Sequence, residues 1–373
     1  MPLHNKLSVK IRNRRWFLIG LAVTLSLIIF GSDLLGVKAA DRWGRAPHKL
    51  LVKAVVVTMF EVGNDTGDGP GEFQTWVERE NLNKVYPLPT AYHDVRTNDN
   101  GLIGILTGIG TAKSATSIMA LGTDPRFDLT KAYWLVAGIA GIDPNDGSLG
   151  SAAWAEWVFD ADLAHEIDAR EIPPEWPYGY LPLNTRAPNS TPIENLGEAY
   201  QLNSNIVNWA YQLTKNVQLD DSSTMAAYRA TYTSYPNAQK PPFVLKGDNL
   251  SGGTFWHGKL LNGWANDWVK LWSNGQGNYV TTAQEDTGTL QALTNLAKAG
   301  KVDLSRVMVL RTASNYDAQG TGQTAAESLN HETGESSYSG FLPSLEAAYR
   351  VGSTVIHEIL GNWNKYEQTV PGA

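Results

Sequence analysis

Short apolar runs alternate with longer amphipathic stretches along most of the chain. Residues 51–60 (LVKAVVVTMF), 102–106 (LIGIL), 133–137 (YWLVA) and 307–311 (VMVLR) are continuous apolar runs bounded by turn residues, the pattern of strands buried on both faces. Residues 243–245 and 279–282 are shorter versions of the same signal, and residues 153–161 form a further apolar-aromatic run. Helical periodicity falls between them, over residues 73–80, 111–121, 256–272, 287–299 and 341–366, with Gly300 closing the fourth. Strands alternating with helices predict an α/β domain over residues 48–366, a three-layer sandwich around a mixed, largely parallel sheet. Residues 169–242 break this rhythm with many Pro, Tyr and Trp. They read as a helical insertion or lid, whose pattern over 194–215 puts Leu202, Ile206, Trp209 and Leu213 on one face. Residues 318–340 read as a polar loop.

Composition narrows the function classes. The chain has 373 residues, is 42% hydrophobic and 18% charged, and carries a net charge of −7. No basic face is available to gain from counterion release, which argues against a nucleic-acid partner. It has no cysteine, so thiol nucleophiles and disulfide frameworks are excluded. The 7 histidines show no metal-ligand spacing, and neither a metal nor a cofactor is expected. The 13 Trp and 15 Tyr supply core volume and surfaces on which a planar ligand can stack.

At the start of the chain, Lys6, Lys10, Arg12, Arg14 and Arg15 precede an apolar run over residues 16–30, and small residues follow at Ala39 and Ala40. That order predicts a signal peptide over residues 1–40 and an exported mature chain, periplasmic, secreted or cell-surface, or a membrane anchor if uncleaved. The run is short beside the roughly 20 residues of a spanning helix.

Chemistry concentrates where the strands end. Gly138 and Gly141 are expected just past the end of the 133–137 run, where a missing Cβ allows positive φ or a close approach by a ligand. Thr107-Gly108-Ile109-Gly110 lies between a strand and a small-residue helix, the arrangement that presents free backbone N–H groups. The loop after residues 51–60 is rich in glycine and acid, with Glu61, Asp65, Asp68 and Glu72. A carboxylate at that strand end can act as a general base toward water, or these acids only order the loop. Lys113 is the one cation that could support a phosphate there.

Taken in order, these motifs resemble the nucleoside phosphorylase and nucleosidase superfamily. They are Thr107–Gly110, Ala137 to Ile142 with the acidic Asp160 and Asp162 beyond, Lys246-Gly247-Asp248-Asn249, Gln284-Glu285 and Arg311 to Asn315. Thr58 to Gly67 and Gly71 to Trp76 are similar to the signature of the purine nucleoside permease branch. The resemblance implies a nucleoside phosphorylase-like fold and a purine nucleoside as ligand. It implies that Glu285 accepts hydrogen bonds from the ribose diol and that Asn315 donates to the base. Gly108, Gly110 and Gly138 would line the ligand, and Asp248 with Gly247 would meet the base edge, with Leu250 or Trp256 against its face. Asn315 cannot protonate the base as an acid could, so Asp317 is either that acid or a helix cap, and His257 is either a surface or a core histidine. Glu61 falls where nucleosidases carry a water-activating carboxylate, and an acidic loop repels phosphate, so hydrolysis is expected over phosphorolysis. The alternative is a non-catalytic nucleoside-binding protein that serves a membrane transporter. The oligomeric state is left open.

Overall fold

The computed structural model describes residues 49–192, 194–333 and 340–372; the expected export segment, residues 1–40, lies outside them. The sheet is built on the strand Tyr133–Ile142. Trp134, Leu135 and Val136 are fully buried there, as an apolar run with no polar alternation requires. Along one edge this strand pairs in parallel with Val307–Tyr316 over almost its whole length. Its other edge is shared. Ala54–Thr58 takes residues 133–136 in parallel, and Tyr279–Ala283 takes residues 141 and 142 antiparallel.

From there the sheet continues through Leu102–Leu106 to Val95–Thr97 and Lys84–Tyr86 on one side. On the other it runs through Asp248–Ser251 and Trp157–Asp160 to Ala199–Gln201. Apart from the antiparallel junction of Tyr279–Ala283 with the central strand, neighbours are parallel near the centre, and they are antiparallel at both rims. Phe341–Gly361 packs on the two longest strands, and Thr111–Thr123 packs against Asp286–Lys298. The outcome is the α/β arrangement of a mixed sheet layered with helices.

Several boundaries differ from the sequence reading. The run 51–60 yields a strand only over Ala54–Thr58; Leu50–Leu51 pairs instead with Phe127–Asp128 in a separate small ladder. The 153–161 run splits at Glu156 into Ala152–Ala155 and Trp157–Asp160. The 133–137 run continues as strand to Ile142, because Val307–Tyr316 supplies hydrogen-bond partners beyond the last bulky residue. The stretch expected as a polar loop contains the helix Ala325–Thr333, and the final helix breaks at Asn362.

In the insertion, helix begins only at Ser204, capped by Asn203, whose side chain accepts from the Asn205 amide. Ile206, Val207 and Ala210 are buried, whereas Leu213 is 38% exposed, so the packed stripe is rotated from the predicted one. The insertion is also sewn into the main sheet, since Ala199–Gln201 pairs with Trp157–Asp160.

Candidate functional site

The shared edge of Tyr133–Ile142 creates the site. Ala54–Thr58 has parted from this strand after residue 136, and Tyr279–Ala283 joins it only at residue 141. Residues 137–140 thus have a strand neighbour on one side only. A buried amide left without a partner there would cost about 1–3 kcal/mol. Glu72, in the first turn of Glu72–Arg79, meets this need. One carboxylate oxygen accepts from the Ile139 amide at 2.8 Å and the other from the Met59 amide at 2.7 Å.

Around this fork lies a cavity of about 270 Å³, near the lower end of the roughly 300–1,000 Å³ usual for small-molecule sites. Glu72, Glu285 and Arg311 line its polar end, Ser314 and Asn315 form another part of the wall, and Phe60, Phe255, Trp256 and Phe341 contribute aromatic surface. A register shift between Ala313 and Asn315 explains why two consecutive residues of one strand both face the cavity.

Gly138 and Gly141 keep this fork open. Both lie inside the strand, in ordinary extended backbone, so the expected positive φ is corrected. What they need is close approach. A Cβ on Gly138 would collide with Met59 and come within 2.8 Å of the Arg311 guanidinium; one on Gly141 would meet Asn315 Nδ2 at 3.2 Å.

The electrostatics follow from burial. Arg311 is 1% exposed and pairs with Glu285 at 3.1 Å and Asp286 at 2.8 Å. It also donates to the Ile139 carbonyl at 3.0 Å. Burial works against its charge, yet Asp286, Glu285 and Glu72 outweigh burial and hold its pKa above the ordinary value. Glu285 is pushed up by burial and drawn down by Arg311, with a net rise. Burial raises Glu72 to about 8, against the pull of Arg311 and with a push from Glu285. The cavity wall therefore joins one guanidinium to two carboxyl groups, of which Glu72 holds its proton near neutrality.

Of the residues singled out in the sequence, Glu285, Asn315, Trp256 and Gly141 are brought together in this cavity. Asn315 is held by its neighbours, accepting from the Ser314 hydroxyl at 2.9 Å and donating to the Tyr316 carbonyl at 3.0 Å. Gly110 donates its amide to Glu285 at 3.4 Å, so the glycine turn serves an internal carboxylate. Gly108 has positive φ beside Tyr92 and Lys113, and Gly138 lies behind Glu72 and Arg311.

The remaining residues are elsewhere. Glu61 caps the 72–79 helix, accepting from the amides of Val62, Gly71, Phe73 and Gln74, and it is not among the cavity residues. Asp248 ties strands together, accepting from the amides of Glu156, Trp157 and Asn278, and burial raises it to about 6. Asp317 is buried under the site, accepting from the Tyr279 hydroxyl and, at 3.1 Å, from Asn262. Burial, then Asp143, push its pKa well above the usual carboxylate range. Lys113 is exposed over the Tyr92 ring, and burial lowers the half-buried His257 to about 4. No group of His, Asp and Glu among the described residues could hold a metal ion.

Sequence reasoning missed Glu72 as an inward-facing acid, and it missed the turn after Asp248–Ser251. Thr254 and Phe255 reach the cavity beside Trp256, which the sequence reading names, whereas Gly247, Asp248 and Leu250 do not. An acid one residue past a helix-starting glycine was the available signal for Glu72, but the loop's other acids drew attention to the strand end instead.

The family model described as purine nucleoside permease matches residues 51–371. A purine nucleoside permease of Candida albicans is 33% identical over 320 residues, covering 84% of this chain and 76% of that protein. Among solved structures, a futalosine hydrolase of Helicobacter pylori is similar at 14% identity with a TM-score of 0.49, covering 82% of this chain and 98% of that one. A 5'-methylthioadenosine/S-adenosylhomocysteine nucleosidase of Neisseria meningitidis, in complex with methylthio-immucillin-A, is similar at 15% identity with a TM-score of 0.46, covering 83% and 99%.

Proposed function

The chain belongs to the purine nucleoside permease family, and from that premise we propose that its cavity binds a purine nucleoside and hydrolyses the bond between base and sugar. The observation that carries this reading is the meeting of Glu285 and Asn315 in one cavity that also has aromatic walls. A carboxylate can accept from both hydroxyls of a ribose diol, an amide can donate to a purine acceptor, and a planar base stacks on Trp256 or Phe255. As the glycosidic bond breaks, negative charge grows on the base, and the amide of Asn315 stabilises it without transferring a proton.

Water is favoured over phosphate as the attacking group. Arg311 is the cation of the cavity wall, and it is already committed to Glu285 and Asp286. A phosphate dianion entering beside these carboxylates would meet repulsion with no uncommitted positive group to offset it.

The family's description supports a second reading, in which the chain binds nucleoside and hands it to a membrane transporter. No helix among the described residues is long and apolar enough to cross a membrane. Incubating the protein with inosine, guanosine and adenosine, with and without phosphate, separates the readings. Free base and ribose formed equally well without phosphate support hydrolysis; saturable binding with no free base supports delivery. We also propose export through residues 1–40, which N-terminal sequencing of the mature protein checks.

A further inference from the structure

We propose that Glu72, and not the strand-end Glu61, is the general base that takes the proton from the attacking water. The assignment rests on the hydrolytic reading above and adds the residue that activates the nucleophile.

The acids near the fork can be sorted by what their oxygens already do. Glu61 spends both oxygens on amides of the helix start. Asp65 is paired with Arg96 at 2.5 Å and His93 at 3.2 Å, and Asp68 accepts from Asn64 at 2.9 and 3.0 Å. Asp286 is taken by Arg311 and by Asn249 at 2.9 Å and does not line the cavity. Glu285 lines the cavity but is held in the Arg311 ion pair.

Glu72 differs from all of these. It lines the cavity, and each of its oxygens accepts one backbone amide, from Met59 or Ile139. A carboxylate has about four lone-pair positions, so each oxygen can still accept a proton from water. One amide lies in the central strand and the other one residue past the end of Ala54–Thr58, and together they fix the carboxylate in place, which is the positioning a general base requires. The charged groups that face it are Arg311 and Glu285. Burial also makes it a stronger base than a solvated carboxylate, with a pKa of about 8 that lies close to working pH.

In the step itself, water oxygen forms a bond to the anomeric carbon and the bond from that carbon to the base nitrogen breaks. The bonding pair leaves with the base, and one water proton moves to Glu72. That proton then passes through solvent to the departing base, so the products are ribose and free purine and Glu72 is regenerated ionised.

The test compares wild type, E72Q and E61Q. E72Q is expected to lose about 10²–10⁴-fold in kcat while still binding nucleoside by calorimetry. Wild-type kcat/KM is expected to rise with pH through a midpoint near 8 and level off above it, and E61Q to melt at a lower temperature with the same pH profile. E72Q puts an amide nitrogen opposite one of the two backbone N–H donors, so nucleoside binding is the check that it has folded. If it does not fold, the wild-type profile decides: a midpoint near 8 supports the assignment and a profile flat above about 5, near the unperturbed carboxylate range, overturns it. Turnover that survives in E72Q overturns the assignment of Glu72 alone. A wild type that binds nucleoside but releases no base at any pH overturns the hydrolytic reading together with it.

Discussion

The strand Val307–Tyr316 serves two buried polar networks, and they are built differently. Arg311 sits among Glu72, Glu285 and Asp286. Just beyond the strand, Asp317 is met by Tyr279 and Asn262, with Asp143 held by Asn266 at 3.0 Å nearby. The first network is ionic and opens on the cavity; in the second a phenol and an amide meet Asp317, and none of the three lines that cavity. Neutral donors can satisfy a buried carboxyl without any charge to maintain, and such a cluster locks packing. An ion cluster of mixed sign is costly to bury and is expected where its charges do chemistry. Burial alone therefore does not identify a functional acid, since Glu72 and Asp317 are both pushed upward. Access to the cavity separates them.

That contrast can be broken most severely at Arg311. R311M leaves Glu285 and Asp286 buried without their cation, and unfolding by urea is expected to show a loss of about 3–5 kcal/mol. A loss within the error of the measurement would mean that the cluster is not held by charge.

A sharper probe is pH. The folded-state pKa of Glu72 lies above its unfolded value, at about 8 against 4.5. The folded protein thus keeps a proton that the unfolded chain has released, and stability falls as pH rises through that window. The slope attributable to this group is at most about 1.4 kcal/mol per pH unit. E72Q should flatten this limb, which chemical denaturation at a series of pH values would reveal.

The smallest effect is expected in the closed network. Y279F removes a donor to Asp317 and should cost about 1–3 kcal/mol in stability, with turnover per folded molecule unchanged. A drop in kcat without a drop in stability would show that the two networks are coupled.

The central strands were legible because their residues are apolar without alternation, as in 54–58, 102–106 and 307–310. Where strands end was not legible, because partners fix that. The 133–142 strand runs on through two glycines only because Val307–Tyr316 accompanies it. Glu285 and Asn315 stand at or near the ends of recognisable strands, but it was the order of the family-like motifs around them that singled them out. Glu61 and Glu72 stand in one acidic loop and look alike in the sequence. Which of them lines the cavity depends on where two strands part company, which no local pattern records. Thr254 and Phe255 were missed for a related reason: the strand Val244–Lys246 ends before Gly247 as read, but a second strand, Asp248–Ser251, follows it and carries the chain to the turn that meets the cavity.

The floor of the cavity has a consequence for how its selectivity can change. At Gly141 the enclosing surface is peptide backbone, where a methyl group would crowd Thr282 and Asn315, and at Gly138, behind the wall, one would strike Met59. Mutation therefore has little purchase on that wall, and any drift in ligand preference must come from the opposite side. There Thr254, Phe255 and Phe341 sit on a turn and at a helix start, where side chains can be exchanged without reopening the sheet.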